Sequence, residues 1–245
     1  MEQPLVTVEQ PAEGVCLIRL QRPAKLNALS EQLIAQFMAV LETDAVGRSR
    51  VIVLAGAGRA FCAGADLTEF RDPSPEGTYD YYRGPGQIWE VLPRLPQPSI
   101  AAIHGFAIGG GAELALSADL RVADETAVFG FPEVSLGILP SAGGMTRLVR
   151  MVGVARAKQL ILLGERFDAA RALELGLVAQ VVAAGEAEAA ALGLAGTLAA
   201  QPQLALQVTR TLIDRSDDMP LAASIELEKL AQGMLSMSSD AYRAE

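Results

Sequence analysis

The sequence predicts an α/β fold, and three observations predict it. Val51-Ile52-Val53-Leu54 is apolar at every position, the pattern of a strand covered on both faces rather than on one. Ser99 to Ile103 is a second short apolar run. It leads into Gly105 and the triplet Gly109-Gly110-Gly111, which opens a helix, so strand, glycine turn and helix follow one another as in an α/β unit. The 245 residues make one large domain, or one with a small appendage, at about 150 residues per domain.

Taken in order, Leu5 to Val8 and Val15 to Leu20 read as two short strands joined by a Pro/Glu/Gly turn, a hairpin pattern. Arg22-Pro23-Ala24-Lys25 breaks it. Ser30 is placed to cap a helix whose Leu33, Phe37, Val40 and Leu41 recur at helical spacing, with Gly47 as its stop. After the Val51 strand comes a loop, Gly56 to Asp66, and then a stretch from Asp72 to Gly86 rich in Pro, Gly and Tyr, expected to be the variable part of any pocket. The glycine triplet precedes a helix at Ala112 to Ser117. Leu120 to Val122 and Val128 to Phe129 are again strand-like, followed by Pro132-Glu133, a Gly/Pro loop to Pro140, and a helix carrying Arg147 and Arg150. Val178 to Val182 is the last predicted strand, and from about Glu186 the chain is Ala-rich and helical. There Leu227, Leu230, Met234 and Met237 form an apolar stripe that either the core or another subunit must cover.

Composition excludes several classes. Hydrophobic residues are 51% and charged residues 20%, a globular balance. Twenty basic residues against 29 acidic give a net charge of −9, which repels phosphate backbones, so no nucleic-acid partner is expected. Cys16 and Cys62 fit neither a disulfide framework nor a zinc pattern, so the expectation is a reducing compartment and no metal site. Met1-Glu2-Gln3-Pro4 lacks the features of a signal, and no apolar run approaches the ~18 residues of a membrane span. A soluble, cytoplasmic protein without a membrane partner is expected.

Two small-residue loops are the candidate site. Gly56 to Asp66 follows a buried strand, but Phe61 stands where a dinucleotide loop needs its third glycine. The loop is then either a tight turn or a place where backbone amides approach a ligand closely. His104 to Glu113 puts three glycines at a helix start, where amides are unpaired and the dipole is positive; close helix-strand packing explains them equally. Two such loops together suggest two amides converging on one oxygen, able to stabilise an enolate. Glu113 and Glu133 flank the region. A helix N-terminus favours the ionised carboxylate, while the apolar neighbours Phe129, Phe131 and Val134 favour the protonated one, so as a pair Glu113 is expected to be the base and Glu133 the acid; taken alone, each reads better as an ordinary solvated glutamate. His104 is the one histidine and no G-x-S-x-G segment exists, which disfavours a Ser/His/acid hydrolase. His104 then reads as a packed strand end and Cys62 as a small hydrophobe. Tyr79, Tyr81, Tyr82 and Trp89 line an acyl pocket or cover the core.

These residues, in this order, resemble the crotonase superfamily, specifically enoyl-CoA hydratases. The likeness rests on Arg22-Pro23 through Asn27-Ala28-Leu29, Phe61 through Leu67, His104-Gly105 through Leu114, Pro132-Glu133 through Gly143-Gly144, and Gly164 through Val178. The resemblance implies a spiral of repeated β-β-α units over residues 1–185 and a helical C-terminal region, 186–245, that mediates trimers or hexamers. It implies an acyl-CoA thioester as substrate, with no other cofactor. By family position, Glu113 and Glu133 are the catalytic pair, and Ala63 and Gly110 supply the oxyanion-hole amides. Ala24, Lys25, Ala65, Asp66 and Leu67 contact CoA, with Arg22 near its phosphates. Ser141 stands where many hydratases have Gly beside the catalytic water. The chain stops at Ser239 to Glu245, where family members usually continue through a tail that closes over an acyl site. Both glutamates together favour reversible syn hydration of a trans-2-enoyl-CoA. The alternatives are an isomerase using Glu133 alone, another acyl-CoA enzyme of this class, or a non-catalytic acyl-CoA-binding scaffold.

Overall fold

The computed structural model describes residues 3–69 and 74–240. The first two residues, the beginning of the Tyr-rich stretch at Asp72 and the end of the tail from 241 lie outside the described residues. Strands β1 (Val6–Ala12) and β2 (Val15–Leu20) form the expected hairpin. Helix α1 (Glu31–Leu41) begins where Ser30 Oγ accepts the Leu33 amide at 3.2 Å, and a short α2 (Asp44–Gly47) follows. The order continues with β3 (Val51–Gly56), α3 (Pro75–Arg83), α4 (Ile88–Arg94), β4 (Ser99–Ile103), β5 (Phe106–Ile108) and α5 (Gly110–Ser117). Then come β6 (Leu120–Asp124), β7 (Val128–Gly130), α6 (Gly144–Val152), α7 (Val154–Leu163), β8 (Phe167–Asp168), α8 (Ala169–Glu174) and β9 (Gln180–Val182). Three helices complete the described chain: α9 (Ala187–Ala199), α10 (Gln203–Arg215) and α11 (Leu221–Leu235).

The larger sheet runs β1-β2-β3-β4-β6-β9, parallel except for the hairpin. A smaller sheet runs β5-β7-β8. The consecutive pairs β4–β5 and β6–β7 each send their first strand to the large sheet and their second to the small one. The chain thus spirals through repeated β-β-α units, as the resemblance implied.

The uniformly apolar runs are explained by the alternation of side chains across a sheet. Val51, Val53, Ile100, Ala102 and Val122 face one way, and Ile52, Leu54, Ala101, Ile103 and Ala123 the other. Helix α9 covers the first face. Its Ala191, Ala195 and Ala199, spaced by four, bring the helix close to Val15, Leu17 and their neighbours. The Ala-rich segment therefore belongs in part to the sheet core. Arg210 fastens α10 to the same body, its Nε 2.6 Å from Asp119 Oδ1 and its Nη2 donating to Leu92 O at 3.0 Å. The stripe on α11 is not covered by this chain's core: Leu230 is 71% and Met237, just beyond the helix, 86% exposed. No helix among the described residues is long and apolar enough to cross a membrane.

Candidate active site

Glu113 is the fourth residue of α5, a helix buried along its whole length. Its side chain is 4% exposed by residue, and Oε1 accepts two backbone amides, Ala142 N at 2.9 Å and Gly144 N at 3.0 Å. Gly144 is required there because any Cβ would overlap Glu113 Cγ. Glu133 opens the 3-10 turn Glu133–Leu136 and is 7% exposed. Both of its carboxylate oxygens are buried without a hydrogen-bond partner. It lies against the start of α5: a Cβ added at Gly109 would stand 3.0 Å from Glu133 Oε1.

The two carboxyls depart from their ordinary values in the same direction. Burial and then the nearby Glu133 charge lift Glu113 to about 7, against the opposing pull of the Gly144 and Ala142 amides and Arg147. The amides pull Glu113 toward the ionised form, the direction expected of a base, while desolvation opposes them and is the larger effect. Burial also raises Glu133. Two buried carboxyls that influence each other titrate as a pair.

The oxyanion assignment needs a correction. Ala63 N donates to Leu26 O at 2.9 Å, so it is already committed within the fold. Leu26 and Asn27 have φ of 52° and 55°, and this left-handed pair turns the chain so that the Leu26 carbonyl meets Ala63. The amide that faces Gly110 is that of Ala65: a Cβ at Gly110 would lie 3.3 Å from Ala65 N. Neither Ala65 N nor Gly110 N makes a hydrogen bond among the described residues. Gly64, at φ 99°, packs between them, its own Cβ position 3.2 Å from Gly110 N. Backbone crowding there leaves no room for a side chain.

Other predicted residues are placed as follows. Ala24 and Lys25 are exposed on the 3-10 turn Pro23–Lys25, whose Pro23 packs against Gly58 of the first loop. Asp66 is satisfied internally: Oδ1 accepts the Thr68 hydroxyl at 2.7 Å and Oδ2 pairs with Arg22 Nη1 at 2.6 Å. The Thr68 and Arg22 bonds lower its pKa to about 2. Arg22 is accordingly engaged by Asp66 and, at 3.2 Å, by Ala28 O. Leu67 is exposed. Ser141 lies on the rim, its hydroxyl bonded to that of Tyr82, which bridges α3 to the loop cradling Glu113. His104 Nε2 contacts Gly58 O at 2.9 Å, a strand-end packing role. Burial pushes the Cys62 thiol up to about 12, which removes it as a nucleophile.

Two residues that organise the site carried no chemical signal of their own. The Asn27 side chain is fully buried and donates to the carbonyls of Ala57 (2.9 Å), Ala60 (2.8 Å) and Phe61 (3.2 Å), holding the first loop. Trp89 Nε1 donates to Gly110 O at 2.7 Å, fixing the first peptide of α5. Among the described residues no cluster of His, Cys, Asp or Glu is placed to hold a metal ion.

The chain as a whole has counterparts among known proteins. Residues 10–242 match the family model for enoyl-CoA hydratase/isomerase. The 2,3-dehydroadipyl-CoA hydratase of Escherichia coli (strain K12) is 39% identical over 231 residues, 94% of this chain and 90% of that protein. The crystal structure of an enoyl-CoA hydratase from Bacillus anthracis superposes with a TM-score of 0.90 at 36% identity, covering 96% of this chain and 92% of that one. A Thermobifida fusca structure solved in complex with CoA superposes at 0.85, with 33% identity over 94% of this chain and 91% of that one. With residues 10–242 matched and the fold superposing at a TM-score of 0.90, the chain belongs to the enoyl-CoA hydratase/isomerase family.

Proposed function

We propose that the protein is an enoyl-CoA hydratase, adding water reversibly and syn across C2–C3 of a trans-2-enoyl-CoA. The observation that carries this reading is the pairing of two buried carboxyls in different environments. Glu113, whose Oε1 is held by two amides, keeps its second oxygen for a water proton; Glu133, without any partner, favours the protonated form. In the forward direction Glu113 takes a proton from water as the oxygen attacks C3. The C2–C3 π pair moves toward the thioester, whose oxygen gains enolate charge. Ala65 and Gly110 amides receive that oxygen, and Glu133 delivers its proton to C2 as the enolate collapses. Losing one such donor costs about 2.7–4 kcal/mol of transition-state stabilisation. The atoms balance with water and thioester alone, so the reaction calls for no metal or redox group. The CoA complex of the Thermobifida fusca relative supports an acyl-CoA ligand. Lys25 and the Ala65 to Leu67 backbone are assigned to its CoA portion.

The test is loss of the conjugated enoyl-thioester absorbance of crotonyl-CoA, with Glu113→Gln and Glu133→Gln alongside. Fast loss in the unsubstituted chain, reduced by orders of magnitude in either variant, is the expected result. A chain that shifts the double bond of a 3-enoyl-CoA but leaves crotonyl-CoA unchanged would be an isomerase instead. One that binds CoA without consuming either thioester would be a scaffold. The same reading carries an assembly of three or six copies, supported by the open stripe on α11 and by exposed Leu136, Ile138 and Leu139 after Glu133; light scattering of the purified protein decides it.

A further inference from the structure

We infer that Arg147 is a positioning residue for the hydration step, its guanidinium tying the amide cradle of Glu113 to Gly110, the residue whose amide is the second oxyanion donor. The inference rests on the reading of Glu113 as the base. Arg147 lies on the first turns of α6, half-buried beneath the loop that precedes it. Nη1 donates to Ala142 O at 2.9 Å and Nη2 to Trp89 O at 2.8 Å. Each acceptor belongs to a residue that touches the site. Ala142 donates its own amide to Glu113 Oε1, and Trp89 donates its indole N–H to Gly110 O. One side chain thus joins both halves of the machinery, the carboxylate cradle and the first peptide of α5.

Gly143 is part of the same arrangement. A Cβ there would stand 2.6 Å from Arg147 Nη1, so the guanidinium occupies the space that a side chain at Gly143 would fill. Arg147 forms no ion pair with a carboxylate among the described residues. A guanidinium is costly to withdraw from water without a counter-ion, and here the charge that faces it is Glu113, with exposed Glu90 of α4 farther out. From the elements packed around Glu113, the groups that face it are Glu133 from the 3-10 turn, Tyr81 and Tyr82 from α3, and Arg147 from α6. Arg147 is the cation of that set, and it favours the ionised base. Its planar fork satisfies two carbonyls at once, which an ammonium does not reproduce.

The test compares Arg147→Met and Arg147→Lys with the unsubstituted protein on crotonyl-CoA, with circular dichroism to establish folding. For Arg147→Met, kcat falls by about 100-fold while KM changes little. The acid limb of kcat/KM moves to higher pH, because a nearby positive charge has been removed. For Arg147→Lys, the limb stays in place and only the plateau drops, since charge is kept and the fork is lost. A merely structural arginine would lower stability and leave the limb where it was. A folded Arg147→Met protein with unchanged kcat and limb overturns the proposal. If that variant does not fold, Arg147→Lys with a full plateau overturns it. A readout independent of turnover is the pH at which the stabilisation gained by Glu113→Gln levels off, which is set by the folded chain and moves up in the Arg147→Met background. That shift, seen in a chain inactive on crotonyl-CoA, would uphold the role of Arg147 and refute the hydratase reading alone.

Discussion

Replacing Glu113 by Gln is expected to remove the base and yet stabilise the fold at neutral and alkaline pH. Glu113 is 4% exposed, and burial followed by the Glu133 charge raises it from 4.5 to about 7. A carboxyl whose pKa is raised on folding holds its proton more tightly in the folded chain. Its contribution to stability is present in full below the unfolded value and is lost as the pH climbs through the folded one. The span from 4.5 to about 7 corresponds to about 3 kcal/mol. Gln preserves the oxygen that accepts the Ala142 and Gly144 amides and brings no charge beside Glu133. The stability gap between variant and parent therefore opens from near zero at about pH 4 to about 3 kcal/mol at about pH 8. For a chain of this length that is a rise in melting temperature of roughly 6–12 °C at the upper pH. Thermal unfolding followed by circular dichroism, at matched protein concentration so that assembly is held fixed, measures it. A gap that stays flat across this range would show that Glu113 titrates as a solvated carboxyl and would refute the reasoning.

Further expectations follow from the same geometry. Because Glu113 must be ionised to act as the base, kcat/KM falls as the pH drops through about 7, an acid limb measurable on crotonyl-CoA. Gly144→Ala drives a methyl into Glu113 Cγ; overpacking of this kind costs about 1–3 kcal/mol, and hydration should fall much further than the melting temperature suggests. Tyr82→Phe and Ser141→Ala each remove one end of the rim hydrogen bond. Each should cost about 1 kcal/mol or less, and the double variant should be no worse than either alone, which a double-mutant cycle on kcat/KM checks.

How much of this was legible in the sequence depends on the range of the interactions involved. The strands at Val51 and Ser99 were legible because burial on both faces writes itself into consecutive residues. The glycine triplet and both glutamates were legible because their chemistry is local. The choice between Ala63 and Ala65 was not: both are small residues in one loop, and what separates them is a bond from Ala63 to Leu26, 37 positions away in the chain. The burial of Glu113 was hidden for the same reason, since the helix N-terminus is visible locally and the desolvation that opposes it is not. Helices α3 and α4 were hidden by Pro and Gly, with Pro93 inside the second. The alanines of α9 were legible as helical, but small residues spaced by four serve close packing on a sheet as readily as contact between subunits.

The glycine triplet shows why the chemistry and the fold are written in the same residues. Each position excludes a side chain for a different neighbour. At Gly109 the space belongs to Glu133 Oε1, at Gly110 to the Trp89 ring and the Ala65 amide, and at Gly111 to the carbonyl of Cys62. The start of α5 is therefore pressed at once against the second carboxyl, the second amide and the strand-like backbone of the first loop. Because Glu113 lies within the same turn, one helix end sets the distances among both carboxyls and both donors. Rigid backbone rather than flexible side chains then fixes the geometry, which is what a site that must hold charge only in the transition state requires. The buried carboxyls oppose folding above neutrality, and the close packing around α5 is what holds them there.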